Sequence, residues 1–517
     1  MDYDAIVVGA GHNGLICAAY LARAGLDTLL VEARDTVGGC ASTVDTLGAR
    51  VNICNCDHAV FRSTPVMDEL GLERFGLRYL DVDPAQWNLS TAGGAAWPVF
   101  HDVDRTLDAL ALTHPGEVAG YRRYARAAVP VARLLLDLAN DVPTPGSVGR
   151  AVWRGRARGV TALLRWRNRC VGDVLRSFFG SEPLLGPAVA AGPAVWGLAP
   201  STPGTGLGAL TYALKHAGRM GRPVGGSGAL PLAVQAAFEA AGGTLRCGSR
   251  VSAVVCEGDA VRGVRLVDGT EITATRVVVA SDPSVALVEW LLDAPPGSRA
   301  LVERWRSAPR PEGYESKVDA VVSMLPTYRQ VDPRVAERLG VDPLVATMVI
   351  APGLDELDRA HAALGAGRVA AQPLFLANVP SVLDPTMIVP GPDGGHVFSL
   401  ETLYTPYRLA GGWAGSTEPS RWLEVYAGLL APGFLDGVRR WRVMTPIAYE
   451  QEFLLPRGHA TSFAGGPLTA LLGRQPELTR YETPVRGLFL TGAATFPGAG
   501  VWGASGRNAA GVVLRRT

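Results

Sequence analysis

Apolar residues fall along this chain in two rhythms. Short unbroken runs bounded by glycine predict buried strands, and stretches with apolar positions three and four apart predict helices. Residues 4–8 form the first such run. A glycine cluster follows, then a helical stretch over 15–24 stopped by Gly25, then a second strand over 27–31. Further strands are predicted at 243–247, 250–256, 261–267 and 276–280. A later set lies at 317–325, 344–351, 372–379, 396–405 and 487–492. Helices are predicted at 104–112, at 117–140, after Gly225–Leu230 and from Asn508 to the C-terminus. Strands interleaved with helices predict an α/β fold. Residues 183–214 carry no charge and are long enough to span a bilayer. Pro183, Pro187, Pro193, Pro200 and Pro203 interrupt them, so they are expected to be broken and to line an apolar cavity.

Composition narrows the class. The chain has 517 residues, 48% hydrophobic and 19% charged, enough to bury two ordinary cores. Its formal net charge of +1, with no charged tail, gives nucleic acid nothing to attract. Only Lys215 and Lys317 are lysine; the other cations are arginine, which reads as compositional bias. Seven cysteines, an odd number without a Cys-x-x-Cys, do not make a disulfide framework or a redox motif. The N-terminus is acidic where a signal peptide needs positive charge, so a cytoplasmic protein is expected.

The first forty residues carry the strongest chemistry. Gly9-Ala10-Gly11-His12-Asn13-Gly14 sits between the first strand and helix, and Glu32 ends the second strand. Gly9 permits a tight turn, Gly11 lets backbone approach a pyrophosphate, and Gly14 lets helix and strand close together. The helix N-terminus offers free N–H groups to phosphate, Asn13 lies in its first turn, and Glu32 is spaced to take the adenosine ribose hydroxyls. Downstream come Glu32, Ala33 and Arg34, then Gly38, Gly39, Ala41 and Ser42, an acid-Arg-x-x-x-Gly-Gly-x-x-Ser pattern. Near the C-terminus a strand ends in Gly492-Ala493, and Gly498, Gly500, Val501, Trp502 and Gly503 form a loop opening the last helix.

These three elements together resemble the phytoene desaturase-like FAD-dependent oxidoreductases, in the bacterial branch often labelled pyridine nucleotide-disulfide oxidoreductase-like. The resemblance covers most of the chain. It implies FAD as cofactor, with Val251 added to the contacts above. It also implies an FAD-binding Rossmann-like domain of the glutathione reductase/amine oxidase type, with an inserted mixed-sheet plus helix substrate domain. The pieces are expected at 1–75, 222–298 and 480–517 for FAD, and at 76–221 and 299–479 for substrate. Three departures stand out. Ala280-Ser281-Asp282 replaces the family's Asn-Ala-Asp, Gly492-Ala493 replaces Gly-Asp, and Trp502 replaces a small residue, so its indole is expected to narrow the substrate cavity. There is no second dinucleotide motif for NADPH, so electrons are expected to pass to oxygen or a quinone.

Proton handling has two candidates. One is the segment 52–58, Asn-Ile-Cys-Asn-Cys-Asp-His, where Asp57 or His58 would serve as acid or base. Cys54 and Cys56 read equally as small core residues and His58 as a satisfied polar one; a covalent flavin link through Cys or His stays open. A metal site is not expected, since zinc needs four ligands and no second cluster is near. The other candidate is Lys317, where relatives often carry lysine and related amine oxidases hold a water against flavin N5. His459 and Tyr404 read as structural. The expected activity is dehydrogenation of an apolar small molecule by hydride transfer to FAD, with peripheral membrane contact as a further option. The alternatives are redox-neutral isomerisation or cyclisation of a polyene, and a non-catalytic prenyl-binding protein of the GDP-dissociation-inhibitor type.

Overall fold

A computed structural model describes residues 2–54, 56–292, 294–391, 394–460, 462–463 and 466–516; Asn55 and Thr461 of the segments above lie outside them. Two large sheets organise the chain. In the first, β1 (Tyr3–Val8) pairs in parallel with β2 (Thr28–Val31) on one side and with β3 (Glu271–Val279) on the other. Thr244–Arg246 extends the sheet beyond β2, and β6 (Leu488–Leu490) pairs with the last three residues of β3, giving five parallel strands. The first part of β3 instead pairs antiparallel with Ala260–Leu266, which pairs with Val251–Glu257. This explains why β3 runs longer than the predicted 276–280. Its leading half is open on one face and reads as polar, while its trailing half is covered on both.

The unbroken apolar run of β1 has the same cause. Ala5 and Val7 enter one core with α1 (His12–Arg23) and α2 (Ala504–Arg515), while Ile6 and Val8 enter the core on the opposite face. Gly11 caps the start of helix α1, and Gly25 follows its end with φ +90, as its sequence position predicts.

The second sheet has seven strands. Their order is Val438–Met444, β4 (Glu315–Val322), β5 (His396–Leu403), Leu374–Asn378, Met348–Ala351, Gln86–Ser90 and Trp97–Val99. All pairs are antiparallel except Met348–Ala351 with Gln86–Ser90. Alternation gives it two different faces. Val318, Ala320, Val322, Phe398 and Leu400 pack outward with Trp422 and Tyr426 of the helix Glu418–Ala427. Lys317, Glu401, Leu376 and Val349 project from the inner face. Residues 183–214 are broken into the helix Glu182–Ala190, the short turns Pro193–Trp196 and Gly206–Leu210, and the start of the helix Thr211–Ala217. Pro193, Pro200 and Pro203 fall outside the first helix, but Pro183 is accommodated in its first turn and Pro187 inside it, against expectation. Among the described residues no helix is long and apolar enough to cross a membrane.

Candidate active site

A cavity of about 1050 Å³ connects the C-terminal ends of β1 and β2 to the inner face of the second sheet. This is where an open parallel sheet presents its ligand crevice. Each glycine of the first loop answers its expected job. Gly9 has φ +97, a conformation L side chains avoid. A Cβ built on Gly14 would lie 1.9 Å from Gly9 O, so only glycine lets the helix close on the strand. A Cβ on Gly11 meets nothing within 4 Å and points into open space. The cradle therefore has room for a phosphate group where a pyrophosphate is expected.

Glu32 is fixed from behind. Ala10 N–H donates to Oε2 at 2.7 Å and Arg34 N–H to Oε1 at 2.9 Å, leaving each oxygen a further lone pair for ribose hydroxyls. His12 Nε2, Asn13 Oδ1 and Arg34 Nη1 are buried without partners among the described residues. Unpaired polar atoms around an open cradle are what a polar ligand would satisfy, and the donor set fits FAD. Ala33, Gly38, Gly39, Ala41, Val251, Gly492, Ala493, Gly500 and Val501 also reach the cavity wall. Two expected contacts do not. Ser42 turns its hydroxyl to Gly39 O at 2.6 Å and fastens the turn. Trp502 does not narrow the cavity: its indole N–H donates to Ala499 O at 3.0 Å, folding the ring onto its own loop.

The other half of the cavity collects the ionisable groups. Lys317 lies on its wall, and its Nζ donates to Asn52 O and to Asp319 Oδ1, the latter at 2.5 Å, leaving one of three donors. Directly across the ladder sits Glu401, with Glu315 two residues before Lys317 on the same face. Burial pushes the Glu401 carboxyl up to about 7 against the pull of Lys317. Burial, then the neighbouring Glu401 and Cys54, raise Glu315 well above the carboxylate range.

The segment 52–58 divides. Asp57 faces the cavity, bound to Arg222 Nε at 2.6 Å and Thr347 Oγ1 at 2.5 Å. Burial raises its carboxyl, but Arg222 and Thr347 outweigh that and hold it low. His58 points the other way, its Nδ1 against Tyr79 OH and its Nε2 against Ser227 Oγ, both at 2.7 Å. Burial, reinforced by His12 and opposed by Asp57, pulls it down to about 3. Fully buried with both nitrogens engaged, it has no access to a substrate proton, which corrects its place among the candidate bases. Asp57, held as an ion pair, is likewise a poor proton acceptor.

Several cavity groups were not legible as such. Cys54 lies against Cys40, which lifts its thiol well above the ordinary value, with burial adding. Fourteen positions separate them, so no motif marks the pair. His459 reaches the wall with Nδ1 unpartnered among the described residues. Lys215, read only as one of two lysines, is there too. The one available signal for Glu315 and Glu401 was charge within otherwise apolar strands.

Relatives agree with this geometry. Residues 7–69 match the model of the NAD(P)-binding Rossmann-like domain and residues 166–314 that of the flavin containing amine oxidoreductases. The chain is 30% identical to mouse pyridine nucleotide-disulfide oxidoreductase domain-containing protein 2, over 99% of this chain and 94% of the relative. The chain belongs to this family of FAD-binding, amine-oxidase-like oxidoreductases. The lycopene-forming phytoene desaturase of a Paracoccus species is 25% identical over 97% of this chain and 95% of its own. Among solved structures, cyclohexylamine oxidase from Brevibacterium oxydans shares the fold at a TM-score of 0.59 and 16% identity, covering 100% and 99% of the two chains. FAD is therefore the cofactor, and the chain of this oxidoreductase family is an enzyme. The reading as a non-catalytic prenyl-binding protein falls away.

Two consequences are measurable. Gly14→Ala should destabilise the fold itself by about 1–3 kcal/mol, since the new methyl overlaps Gly9 O. Gly11→Ala should leave the melting midpoint of the apoprotein unchanged and weaken FAD binding, read by flavin retention on purification. Equal midpoint losses in the two variants would reverse these assignments.

The second concerns Glu401. An acid whose native pKa is raised gives its stability below its unfolded value and loses it as pH climbs through the native one. Wild type should thus lose stability through this residue between 4.5 and about 7. Glu401→Gln, insensitive to pH here, should gain on wild type in thermal melts between about pH 5 and about pH 8. A constant difference across that range would show that Glu401 is already ionised at low pH.

Proposed function

We propose that this enzyme dehydrogenates an apolar small molecule in the manner of the phytoene desaturase-like branch, with proton transfer handled at Lys317 and Glu401. The observation that carries the reading is the shared cavity. It joins the nucleotide cradle to a sheet face that is apolar at Leu376 and Val349 and ionisable at Lys317 and Glu401. Bound FAD would supply the two-electron acceptor, taking a hydride at N5. Loss of hydride from one substrate atom requires loss of a proton from its neighbour. A carboxyl titrating near neutrality is matched to accept that proton, and the free Lys317 donor can hold a water beside it. With no second dinucleotide motif, oxygen or a quinone is the proposed final acceptor. Thiol–disulfide chemistry is disfavoured, because the raised Cys54 thiol supplies little thiolate.

The test is stopped-flow with flavin reduction and reoxidation followed separately. Lys317→Met should slow at least one half-reaction by roughly 10²-fold. In wild type the reduction rate should rise with pH through about 7 as the Glu401 pair deprotonates, and Glu401→Gln should flatten that rise. Both half-reactions within about threefold of wild type in Lys317→Met would remove the lysine from the chemistry. A redox-neutral isomerase would instead turn over anaerobically without lasting loss of flavin absorbance.

A second reading concerns the membrane. Residues 150–169 carry arginine at 150, 154, 156, 158, 165, 167 and 169 and no acid. Trp153 is 80% exposed and Leu164 50% exposed on the same arm. Arg150 pairs with Asp141 at the arm's base. A basic arm with exposed Trp and Leu suits an anionic bilayer surface better than the uncharged stretch 183–214, which is folded against the cavity. The protein should co-sediment with phosphatidylserine-containing vesicles but not with pure phosphatidylcholine, and Trp153→Ala should weaken this. Failure to sediment with anionic vesicles at low salt would sink the reading.

A further inference from the structure

The cavity has a second polar end. On the inner face of the second sheet, Lys317, Glu401, Leu376 and Val349 stand opposite one another on four successive strands. At about 4.8 Å per strand that row spans about 14 Å. At Val349 the wall turns back along its own strand to Thr347 and continues with Gln86, Asp57 and Lys215, and between the two ends it is apolar, with Ala191 and Val195 opposite Leu376 and Val349.

This far end holds donors that are short of partners, together with one buried acceptor, Gln86 Oε1, left unpartnered among the described residues. The one hydrogen-bond partner of Lys215 Nζ among the described residues is the Met220 thioether at 3.4 Å, a weak acceptor. Arg222 lies almost fully buried behind Asp57, off the cavity wall, and among the described residues both its Nη groups lack a partner. Asp57 is engaged by Arg222 Nε and Thr347, and Asp384, on the far side of Arg222, is engaged by Gly225 N–H and Thr386. Burial draws the Lys215 amine down with Asp57 opposing, so an anion within reach would relieve the ammonium.

We propose that Lys215 anchors the anionic head of the substrate, and that the substrate class is an elongated apolar carboxylate whose reacting carbons lie beside Lys317, at the opposite end of the row of strands from Val349. The assignment rests on the reading that this cavity receives the substrate of an FAD-dependent dehydrogenase. It fixes both polarity and orientation: head at Lys215, chain over Val349 and Leu376, oxidisable carbons at Lys317 and Glu401.

Decanoate and decan-1-ol, equal in chain length, test it on the flavin-loaded full chain. Binding is read by calorimetry and by perturbation of the flavin absorbance, neither of which requires turnover. Wild type should bind decanoate at least about tenfold more tightly than decan-1-ol, the scale expected of a hydrogen bond to a charged group. Lys215→Met should erase that preference while leaving decan-1-ol affinity and the flavin spectrum unchanged. No decanoate binding, equal binding of the two probes by wild type, or a preference that survives in Lys215→Met would overturn the anchor. Flavin content separates the two failures. Protein that binds no flavin sinks the dehydrogenase reading, whereas flavin-loaded protein without carboxylate preference sinks the anchor alone.

Discussion

Lys317 is a charge in a nearly dry place, and much of the molecule is arranged to make that tolerable. An ammonium removed from water is costly unless it is paired and hydrogen-bonded. Asp319 supplies the counter-charge two residues along the same strand face, and it is held in turn by Ser399 Oγ at 2.8 Å and Arg442 Nη2 at 3.4 Å. Asn52 supplies a carbonyl to the lysine, and its side chain accepts from Ser227 N–H and Thr43 Oγ, both at 2.8 Å. Asn52 leads out of the nucleotide-binding segment, whereas Lys317 and Asp319 belong to the second sheet. One buried ammonium, paired within the second sheet and hydrogen-bonded to the Asn52 carbonyl, thus ties the cofactor half to the substrate half.

The cavity itself follows from strand alternation. Successive side chains of β4 and β5 must face opposite ways, so a strand that is apolar on its outer face is free to carry Lys317 or Glu401 on its inner one. A slip of one residue would send these charges into the Trp422–Tyr426 core, a strong penalty that fixes the register. The alternation of β1 does the opposite. Both faces are covered over residues 5–8, so those four positions are all apolar, and the strand's one acid, Asp4, sits at its exposed start.

That contrast explains what could be seen from sequence. The nucleotide half is local: strand, turn, helix and acid lie within about thirty residues, and each glycine answers a steric demand visible in the order of residues. The cavity facing the substrate is non-local. Glu401 meets Lys317 only because two strands pair across more than eighty positions, and Cys40 meets Cys54 across a hairpin. His58 and Trp502 misled for a further reason. Their residue types suit a site, but their orientation is decided by Tyr79 and Ser227 in one case and by the Ala499 carbonyl in the other. Residue chemistry was readable, and direction was not.

The two lysines show how composition and site meet. Elsewhere the cations of this chain are arginine, yet both lysines stand on one cavity wall. Arginine is planar, always charged and presents five donors that a buried wall must satisfy, and Arg222 already leaves two of its nitrogens unpartnered. An ammonium is compact and needs fewer partners. At Lys317 those properties let one donor remain free beside two raised carboxyls. At Lys215 they leave a cation with little more than a thioether to hold. In a chain biased towards arginine, lysine stands at two positions where a guanidinium would bring more donors than the wall can satisfy, and both line the cavity that joins the nucleotide cradle to the second sheet.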